Sequence, residues 1–292
     1  MKLISKKIIS RPDMVYNIHV RKNNNYIANG SVISNCHTSN AKVLRDILYG
    51  CHNASFRIGM TGTMPSNKLD ELNVMSYIGP VLKTFRGRDL ADLGYISKCT
   101  VKMIHIEYTD EPSGDYQNVR DEVFLKEYRV GLIKHIISET PNSILILVEK
   151  VEKEGDPLTD IIRESFPNKK VVFLSGRDSS EERERWRNDM NDNDDIVIIA
   201  TYPVMQQGTN IKSLRTIILA SPTKSFIRVI QSLGRVLRKH VSKELGGAEL
   251  YDLGDECKYL TDHAEKRERH YEKERHEIKI IKLKESDGVY SL

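Results

Sequence analysis

Residues 195–201, Asp-Ile-Val-Ile-Ile-Ala-Thr, contain the strand signal on which the fold of this 292-residue chain depends. A short run of β-branched residues, here 196–199 within the predicted strand 195–200, is typical of a strand that is buried on both faces of a sheet. Further runs of this kind lie at 143–148, 170–175 and 214–220, and helical patterns lie at 118–139 and 160–166. Strands that alternate with helices predict an α/β domain with a parallel sheet.

The loops after these strands are the expected ligand sites, because the carboxyl ends of parallel strands meet at one edge of the sheet. Thr201 follows the run 195–200, and Gly208-Thr209-Asn210-Ile211-Lys212 comes soon after it. We therefore expect Thr201 and residues 208–210 to lie on one ligand-binding loop.

The sharpest motif is Gln231-Ser232-Leu233-Gly234-Arg235-Val236-Leu237-Arg238. Arg235 and Arg238 are three residues apart, so on a helix they share a face. Two guanidinium groups on one face can reach a γ-phosphate and stabilise the charge that spreads over it in the transition state. An exposed basic helix is the alternative explanation, but Gln231 and Gly234 favour the phosphate site.

A further strand is predicted where Ser55-Phe56-Arg57-Ile58-Gly59-Met60 leads into Thr61-Gly62-Thr63. It follows Cys36-His37 and a helical stretch at 41–49. A Thr-Gly-Thr sequence alone indicates only a strand-to-loop turn, and its distance from His37 adds weight to a functional role.

Residues 36–292 resemble the UvsW helicases of myophages and, more distantly, the D-E-x-H group of superfamily-two helicases. Residues 61–63 resemble motif III, the loop with Thr201 and residues 208–212 resembles motif V, and residues 231–238 match motif VI, Q-x-x-G-R-x-x-R. The resemblance implies two RecA-like domains, with ATP and Mg²⁺ bound at their cleft and DNA bound across it.

The same resemblance implies roles for individual residues. Arg235, Arg238 and Gln231 would act on ATP, while His37 would couple nucleotide state to the second domain, with a structural His at the strand end as the alternative. The nucleotide-binding loops would use Gly208, Asn210 and Gly234. The link between ATP and DNA would use Thr61, Gly62, Thr63 and Thr201.

The segment before Cys36 has a different character. Short strands are predicted at 3–9, 15–20 and 25–33, and three such strands cannot bury a core alone. The stretches Val15-Tyr16-Asn17-Ile18-His19-Val20 and Asn25-Tyr26-Ile27-Ala28-Asn29-Gly30, closing on Ser34-Asn35-Cys36, resemble the C-terminal end of an intein. A β-extension that packs on its own domain is the alternative.

Splicing chemistry needs the residue types found at this junction. The Cys36 thiolate can accept an acyl chain as a thioester, and the Asn35 amide can then attack its own carbonyl and cut the chain. The family usually has His before the terminal Asn, where this chain has Ser34. His19 is the candidate proton donor in its place, with a surface His as the alternative.

Parts of a helicase are missing from these 292 residues. No G-x-x-x-x-G-K-S/T motif occurs, and the Asp and Glu of an Asp-Glu-Cys-His motif do not precede Cys36. Because the chain opens with Met1, we expect the front half to be a separate protein that ends in an intein fragment preceded by Asp-Glu. The chain alone is then expected to be ATPase-silent.

Charge, apolar runs and cysteine content limit the classes of partner and the location of the protein. The net charge is +4, yet residues 1–35 hold six Lys or Arg against Asp13, so the remaining chain is close to neutral. The basic segment favours an acidic complementary intein fragment. No apolar run approaches the ~18 residues that span a bilayer, no signal peptide is evident, and no cysteine pair indicates a disulfide. We expect a cytoplasmic protein that binds no membrane, in the host-cell cytoplasm if it is phage-encoded.

The predicted layout has four parts: an all-β Hint-type intein fragment at 1–35, the rear of a first RecA-like domain at 36–107, a second RecA-like helicase C-terminal domain at 108–260, and a charged helical tail at 261–292. Three functions remain open. The chain is a trans-splicing precursor of a DNA helicase that remodels branched DNA, an unspliced helicase subunit, or a non-catalytic DNA-binding fragment.

Overall fold

The computed structural model describes residues 25–28, 31–35, 56–60, 64, 67–192, 195–206, 214–222 and 247–292. It divides the chain into two compact units, Met1–Thr84 and Phe85–Leu292. The strands predicted at 3–9 and 15–20 and the helix predicted at 41–49 lie outside the described residues.

The first unit contains a three-stranded sheet. Strand β1 (Asn25–Ala28) pairs antiparallel with β2 (Ser31–Asn35), and β2 pairs in parallel with β3 (Phe56–Met60). The prediction of one strand at 25–33 is wrong, because Ala28 pairs with Ser31 and only Asn-Gly at 29–30 connects the two strands. Asn-Gly is the preferred two-residue hairpin connection.

A helix follows β3 in the first unit. It is α1 (Lys68–Ile78), which begins after Asn67, whose side-chain Oδ1 accepts a hydrogen bond from the Leu69 amide at 2.9 Å. This contact satisfies one of the free N–H groups of the first turn. Gly79 ends the helix with a φ of 128°, a conformation that favours glycine.

The second unit alternates strands with helices along the chain. Its elements are α2 (Gly87–Asp92), β4 (Cys99–Glu107), α3 (Tyr116–Phe124), α4 (Glu127–Glu139), β5 (Ile144–Val148), a π-helical turn (Val151–Gly155), α5 (Asp156–Ser165), β6 (Lys170–Leu174), α6 (Ser180–Asp192), β7 (Ile196–Thr201), α7 (Tyr202–Gln206), β8 (Thr216–Leu219), β9 (Ala248–Glu256), α8 (Thr261–Lys273), β10 (Glu277–Lys284) and a 3₁₀ turn (Glu285–Asp287).

The seven strands of this unit form one sheet in the order β10-β4-β9-β8-β5-β7-β6, and every neighbouring pair is parallel. The predicted parallel α/β sheet is therefore confirmed. The four strands predicted from apolar runs are all present, with ends that differ by one or two residues.

Both faces of the sheet are covered. On β5, Leu145 and Leu147 point into one apolar cluster, and Ile144, Ile146 and Val148 point into another. Alternate residues of a strand point to opposite faces, so a fully apolar strand requires a core on each side. This arrangement explains why β5, β7 and β8 are uninterrupted apolar runs.

The helix predicted at 118–139 is in fact two helices, α3 and α4. The break lies at Leu125 and Lys126, where Lys126 has a ψ of 134° and so leaves the helical conformation. The break allows Phe124 at the end of α3 and Tyr128 in the first turn of α4 to enter the same apolar cluster.

The tail predicted as a charged helix at 261–292 is helical only as far as Lys273. Arg275 then adopts a φ of 60°, which turns the chain, and β10 runs in parallel beside β4. The Ile and Leu residues of β10 alternate partly with lysines, as in a strand with one buried side. Charge density across the tail conceals this shorter pattern.

Strand β4 also differs from the predicted layout. The sequence prediction assigned residues 99–107 to the rear of the first domain, but β4 lies between β10 and β9 in the seven-stranded sheet. The boundary between the two units falls at Thr84 instead.

Candidate functional site at the carboxyl edge of the sheet

The central strands β8, β5 and β7 lie side by side and end at the same edge. Past β8, the amides of Ala220 and Ser221 both donate to the Leu147 carbonyl oxygen of β5, at 3.0 and 3.3 Å. Thr201 is the last residue of β7 and is buried. The loops of these three strands therefore form a continuous surface where a parallel sheet binds its ligands.

A buried carboxylate holds two of these loops together. Glu154, on the π-helical turn after β5, is 1% exposed. Its Oε2 accepts hydrogen bonds from the amides of Glu149 and Lys150, at 2.8 and 3.0 Å, and from the Ser221 hydroxyl. A single side chain thus fixes the loop after β5 against the loop after β8. Single π-turns of this kind are frequent at functional sites.

Arg120 on α3 supplies the counter-charge for Glu154. Its guanidinium pairs with the Glu154 Oε1, and its Nη2 lies 3.1 Å from a carboxylate oxygen of Glu149. Arg120 is 5% exposed, so the pair is shielded from water and salt. A buried carboxylate is tolerated only when paired and hydrogen-bonded, as it is here.

A second buried pair supports the same edge from below. The Arg129 Nε of α4 lies 2.8 Å from Oδ1 of Asp255 on β9, and Arg129 Nη2 donates to the Ala220 carbonyl oxygen at 2.5 Å. Burial alone lowers the pKa of the Arg129 guanidinium, but the Asp255 carboxylate outweighs it and the pKa is raised. Arg129 therefore remains charged and anchors the end of β8.

The hydroxyl of Tyr108 donates to Asp255 Oδ1 at 2.6 Å. Burial and the Asp255 carboxylate raise the pKa of Tyr108 well above its ordinary value, so the phenol stays protonated.

A third buried pair lies on the other side of β9. Arg267 of α8 binds both carboxylate oxygens of Asp252, with Nε–Oδ2 at 2.9 Å and Nη2–Oδ1 at 2.8 Å. The Tyr271 hydroxyl donates to Asp252 Oδ2 at 2.7 Å. This bidentate arrangement fixes α8 against the sheet.

Three basic side chains lie in the loops at this edge; Lys153 and Arg177 are exposed, and Lys150 is half-buried. Lys150 and Lys153 both pair with Asp121, the second at 2.6 Å. Burial of Asp121 raises its pKa, but hydrogen bonds from the two lysines outweigh it, and the pKa is lowered. Arg177, in the loop after β6, lies 2.9 Å from Glu152 and 3.3 Å from Asp156. Lys153 and Arg177 are the exposed cations, and ion pairs at exposed cations are weak, so these two side chains can exchange to a phosphate.

The loop after β6 is itself ordered by short-range hydrogen bonds. The Asp178 carboxylate accepts from the Ser175 amide at 2.6 Å, and the Ser175 hydroxyl accepts from the Arg177 amide at 3.1 Å. These contacts hold Arg177 at the carboxyl edge.

The sequence-predicted site residues divide into two groups. Thr201, predicted on the loop after this strand, is instead the buried last residue of β7 and is followed directly by α7. Ser34 and Asn35 end β2. The others lie outside the described residues: His19, Cys36, His37, Thr61, Gly62, Thr63, Gly208, Asn210, Gln231, Gly234, Arg235 and Arg238. Their roles stay predictions.

The sequence prediction missed Glu154, Arg120, Arg129 and Asp255. The sequence offered one indication of these residues. Asp255 lies among the apolar residues of β9, and a charged residue in such a strand needs a buried partner. In the described part of the chain, no group of three or more His, Cys, Asp or Glu side chains could hold a metal ion. No helix in that part is long and apolar enough to cross a membrane.

Comparison with known proteins agrees with this fold. The model of the helicase conserved C-terminal domain matches residues 128–240. The ATP-dependent DNA helicase uvsW of enterobacteria phage T4 is 26% identical over 231 residues, which cover 75% of this chain and 44% of that protein. The chain therefore spans less than half the length of this relative.

Solved structures show the same fold. The crystal structure of T4 UvsW matches with a TM-score of 0.54 at 23% identity, and covers 86% of this chain and 53% of that one. A fragment assigned to the HsdR subunit of a type I restriction enzyme from Vibrio vulnificus matches with a TM-score of 0.66 at 18% identity, and covers 90% of this chain and 50% of that one. Residues 128–240 thus match the helicase conserved C-terminal domain, the chain is related in sequence to phage UvsW, and its seven-stranded sheet has the parallel RecA-like fold of these proteins.

Proposed function

We propose that this chain is the rear half of an ATP-dependent helicase that remodels branched DNA in recombination or repair, and that protein splicing joins it to its front half at Cys36. The observation that carries the proposal is the register of β2 and β3, in which Asn35 pairs with Met60. The Asn35–Cys36 bond therefore follows the carboxyl end of a strand beside the one that leads to Thr61. An Asp-Glu-Cys-His motif would occupy such a position.

The incomplete nucleotide site supports the need for a front half. The 292 residues contain no P-loop, and they span 44% of the length of the phage T4 relative. A P-loop lysine and the Mg²⁺-binding carboxylates would come from the front half. This chain would supply Gly208, Asn210 and Gly234 to the nucleotide, with Gln231 beside them.

Arg235 and Arg238 are the residues that we assign to the transition state. Their guanidinium groups would stabilise the charge on the γ-phosphoryl oxygens as the bond to the leaving group breaks. When bound, Mg²⁺ would neutralise charge on the β- and γ-phosphates. Hydrolysis requires both halves, so the chain alone would be inactive.

The DNA surface that we propose is the carboxyl edge of the seven-stranded sheet. Lys153 and Arg177 are exposed there, Lys150 is half-buried, and the buried Thr201 ends β7. Phosphates would displace the carboxylates that now pair with these cations. Such contacts position the backbone without reading sequence, which suits an enzyme that recognises DNA shape.

Splicing would proceed through a series of acyl transfers between groups of the two chains, with no further reactant. The Cys36 thiolate attacks the carbonyl carbon of the thioester or ester that links the front half to its own intein fragment. The bond from that carbon to the fragment's sulfur or oxygen breaks, the fragment leaves as a thiol or alcohol after taking up a proton, and the acyl group stays on the Cys36 sulfur. The side-chain amide nitrogen of Asn35 then attacks the backbone carbonyl carbon of Asn35. A cyclic imide forms, the Asn35–Cys36 peptide bond breaks, and the amine of Cys36 is released. That amine takes the acyl group from the sulfur and forms a peptide bond.

His19 is the proposed proton donor to the leaving amine of Cys36, since Ser34 occupies the usual position of that His. A His19→Gln variant should slow the release of residues 1–35 while the acyl transfer to Cys36 continues. An unchanged release rate would assign His19 to the surface instead.

Co-expression with a candidate front half tests the proposal directly. The expected product is a ligated chain whose mass equals both helicase halves without the intein fragments. Cys36→Ala should abolish it, and Asn35→Ala should stall at a branched intermediate. Cys51→Ala is the matched control, because a cysteine outside the junction should not affect ligation. Normal ligation by the Cys36→Ala chain would rule out splicing at this junction.

One observation favours a second candidate function. Strand β2 (Ser31–Asn35) pairs with β3 in the same unit and β1 pairs with β2, as a β-extension would on its own domain. In that case the chain is an unspliced helicase subunit, and co-expression yields a complex of two unligated chains with ATPase activity.

A further inference from the structure

The strand β2 has two neighbours of different origin under the proposed function. Its antiparallel partner β1 (Asn25–Ala28) belongs to the same predicted intein fragment, while its parallel partner β3 (Phe56–Met60) belongs to the helicase half. Five consecutive residues of β2 pair with five of β3, from Ser31–Phe56 to Asn35–Met60. The end of the intein fragment is therefore a strand of the helicase sheet.

We propose that β2 is a temporary occupant of the β3 edge and that splicing exchanges it for a strand of the front half. This inference rests on the proposed function. It assigns the β3 edge as the docking site of a front-half strand of about five residues, the length following from the paired segment. The helicase resemblance implies that this strand ends in Asp-Glu.

The geometry of the chain requires the exchange. Cys36 directly follows β2, and splicing replaces every residue before Cys36 with the end of the front half. The strand of the front half that becomes joined to Cys36 must lie where β2 lies now. Because β3 stays covalently attached after Cys36, the incoming strand inherits the parallel edge of β3.

The sequence of β2 is suited to covering the β3 edge before splicing. Residues 31–35, Ser-Val-Ile-Ser-Asn, include two β-branched residues, Val32 and Ile33, which favour the strand conformation. An open parallel edge on β3 would expose unpaired backbone N–H and C=O groups to other chains. The β1–β2 hairpin covers this edge until the correct strand arrives.

The pairing of β2 with β3 would also have to break before splicing can begin. Residues 31–35 would have to leave β3 before they assemble with the complementary intein fragment, because one strand edge cannot pair with both. Capture of residues 25–35 by that fragment would thus open β3 at the moment when the front half is close.

Engineered disulfides test the register in the chain alone. In a Cys36→Ser, Cys51→Ser background, Val32→Cys with Arg57→Cys joins paired residues, whose Cα atoms lie about 5 Å apart in neighbouring strands. Ser34→Cys with Arg57→Cys is the matched control, in which the offset of two residues gives about 8 Å. We expect the in-register disulfide to form more than about tenfold faster, since the offset exceeds the ~7 Å limit for a disulfide. Equal rates would overturn the pairing.

A ligation experiment then uses the Val32→Cys, Arg57→Cys chain with Cys36 restored. The oxidised chain should yield no ligated product with the front half, and reduction should restore ligation to the level of the parent chain. Ligation at the full rate by the oxidised chain would overturn the exchange while leaving splicing intact. Failure to ligate after reduction, with a parent chain that also fails, would instead reject the proposed function.

Hydrogen exchange gives a second measurement that does not depend on a disulfide. Binding of the front half to the Cys36→Ala chain, which cannot ligate, should speed amide exchange at Arg57–Gly59. The ligated wild-type product should recover slow exchange at the same amides. Protection that never changes in the bound Cys36→Ala chain would overturn the exchange.

Discussion

Arg129 and Asp255 form an ion pair in which both side chains are 0% exposed and the Nε–Oδ1 distance is 2.8 Å. The two residues lie on α4 and β9, and the Arg129 guanidinium also reaches the Ala220 carbonyl at the end of β8. The pair therefore joins a covering helix to two strands at the candidate DNA edge. A charge in this position is stable only while its partner is present.

We expect Asp255→Ala to lower the free energy of unfolding by about 3–5 kcal/mol, because it leaves a buried guanidinium without its counter-charge. Urea denaturation of the 292-residue chain is the measurement. Asp92→Ala is the control, since Asp92 forms an exposed pair with Arg88 and its loss should cost about 0.5 kcal/mol or less. Equal costs for the two substitutions would show that the buried pair has no special role.

Two buried tyrosines should respond differently to loss of the hydroxyl. Tyr271 donates to Asp252, so Tyr271→Phe should cost about 1–3 kcal/mol. The Tyr202 hydroxyl has no hydrogen-bond partner among the described residues, so Tyr202→Phe should be neutral or stabilising by about 1 kcal/mol. Urea denaturation at pH 7 distinguishes the two, and a large loss for Tyr202→Phe would reveal an unrecognised partner.

The same tyrosines predict an alkaline loss of stability. Burial raises the pKa of Tyr202, and burial with the Asp252 carboxylate raises that of Tyr271. As the pH rises above about 10, the unfolded chain loses these protons while the folded chain keeps them, so the folded state is progressively disfavoured. The slope should reach about 1.4 kcal/mol per pH unit for each tyrosine. Tyr202→Phe should show a shallower slope than the parent chain in urea titrations above pH 10.

Gly155 ends the π-helical turn that carries Glu154, and a Cβ there would lie 2.1 Å from the Phe173 ring. Gly155→Ala should therefore cost about 1–3 kcal/mol through overpacking. Gly176→Ala is the matched control, because a Cβ at Gly176 meets nothing within 4 Å. Adding Phe173→Leu should recover part of the loss, and strict additivity in this double-mutant cycle would contradict the steric explanation.

Much of this fold could be predicted from the sequence, since β5, β6, β7 and β8 are short apolar runs. Strands β4 and β9 are not among the predicted strands, because charged residues interrupt their patterns. On β9 these include Asp252 and Asp255, whose buried partners are Arg267 and Arg129. Arg129 and Asp255 are 126 positions apart, so the local pattern can indicate a buried charge at Asp255 but cannot identify its partner. Strand β10 was concealed in the same way by the charge of the tail.

Motif VI is predicted from sequence, and its role is tested after ligation. Arg235→Ala should lower kcat for ATP by roughly 10³-fold or more, with a much smaller change in ATP affinity, because the lost guanidinium acts in the transition state. Arg269→Ala, which removes an exposed cation from α8, should leave kcat unchanged. Loss of DNA binding with normal DNA-saturated turnover would assign Arg235 to the DNA backbone instead.

His37 is the proposed link between nucleotide state and DNA unwinding. In the ligated product it would be the fourth residue of Asp-Glu-Cys-His, where an imidazole can donate or accept a hydrogen bond. His37→Ala should leave ATP affinity largely intact while strand separation falls more than DNA-stimulated ATPase activity. A proportional fall in both activities would indicate a structural His.

The central claim is that ligation at Cys36 completes the ATPase, and DNA-stimulated ATP hydrolysis before and after ligation tests it most directly. The front half is mixed either with the wild-type chain or with the Cys36→Ala chain, and turnover is measured with saturating DNA. We predict no turnover by the chain alone, low turnover by the unligated Cys36→Ala mixture, and high turnover that appears in step with the ligated product. Equal turnover in the two mixtures, or hydrolysis by the 292-residue chain alone, would contradict the claim.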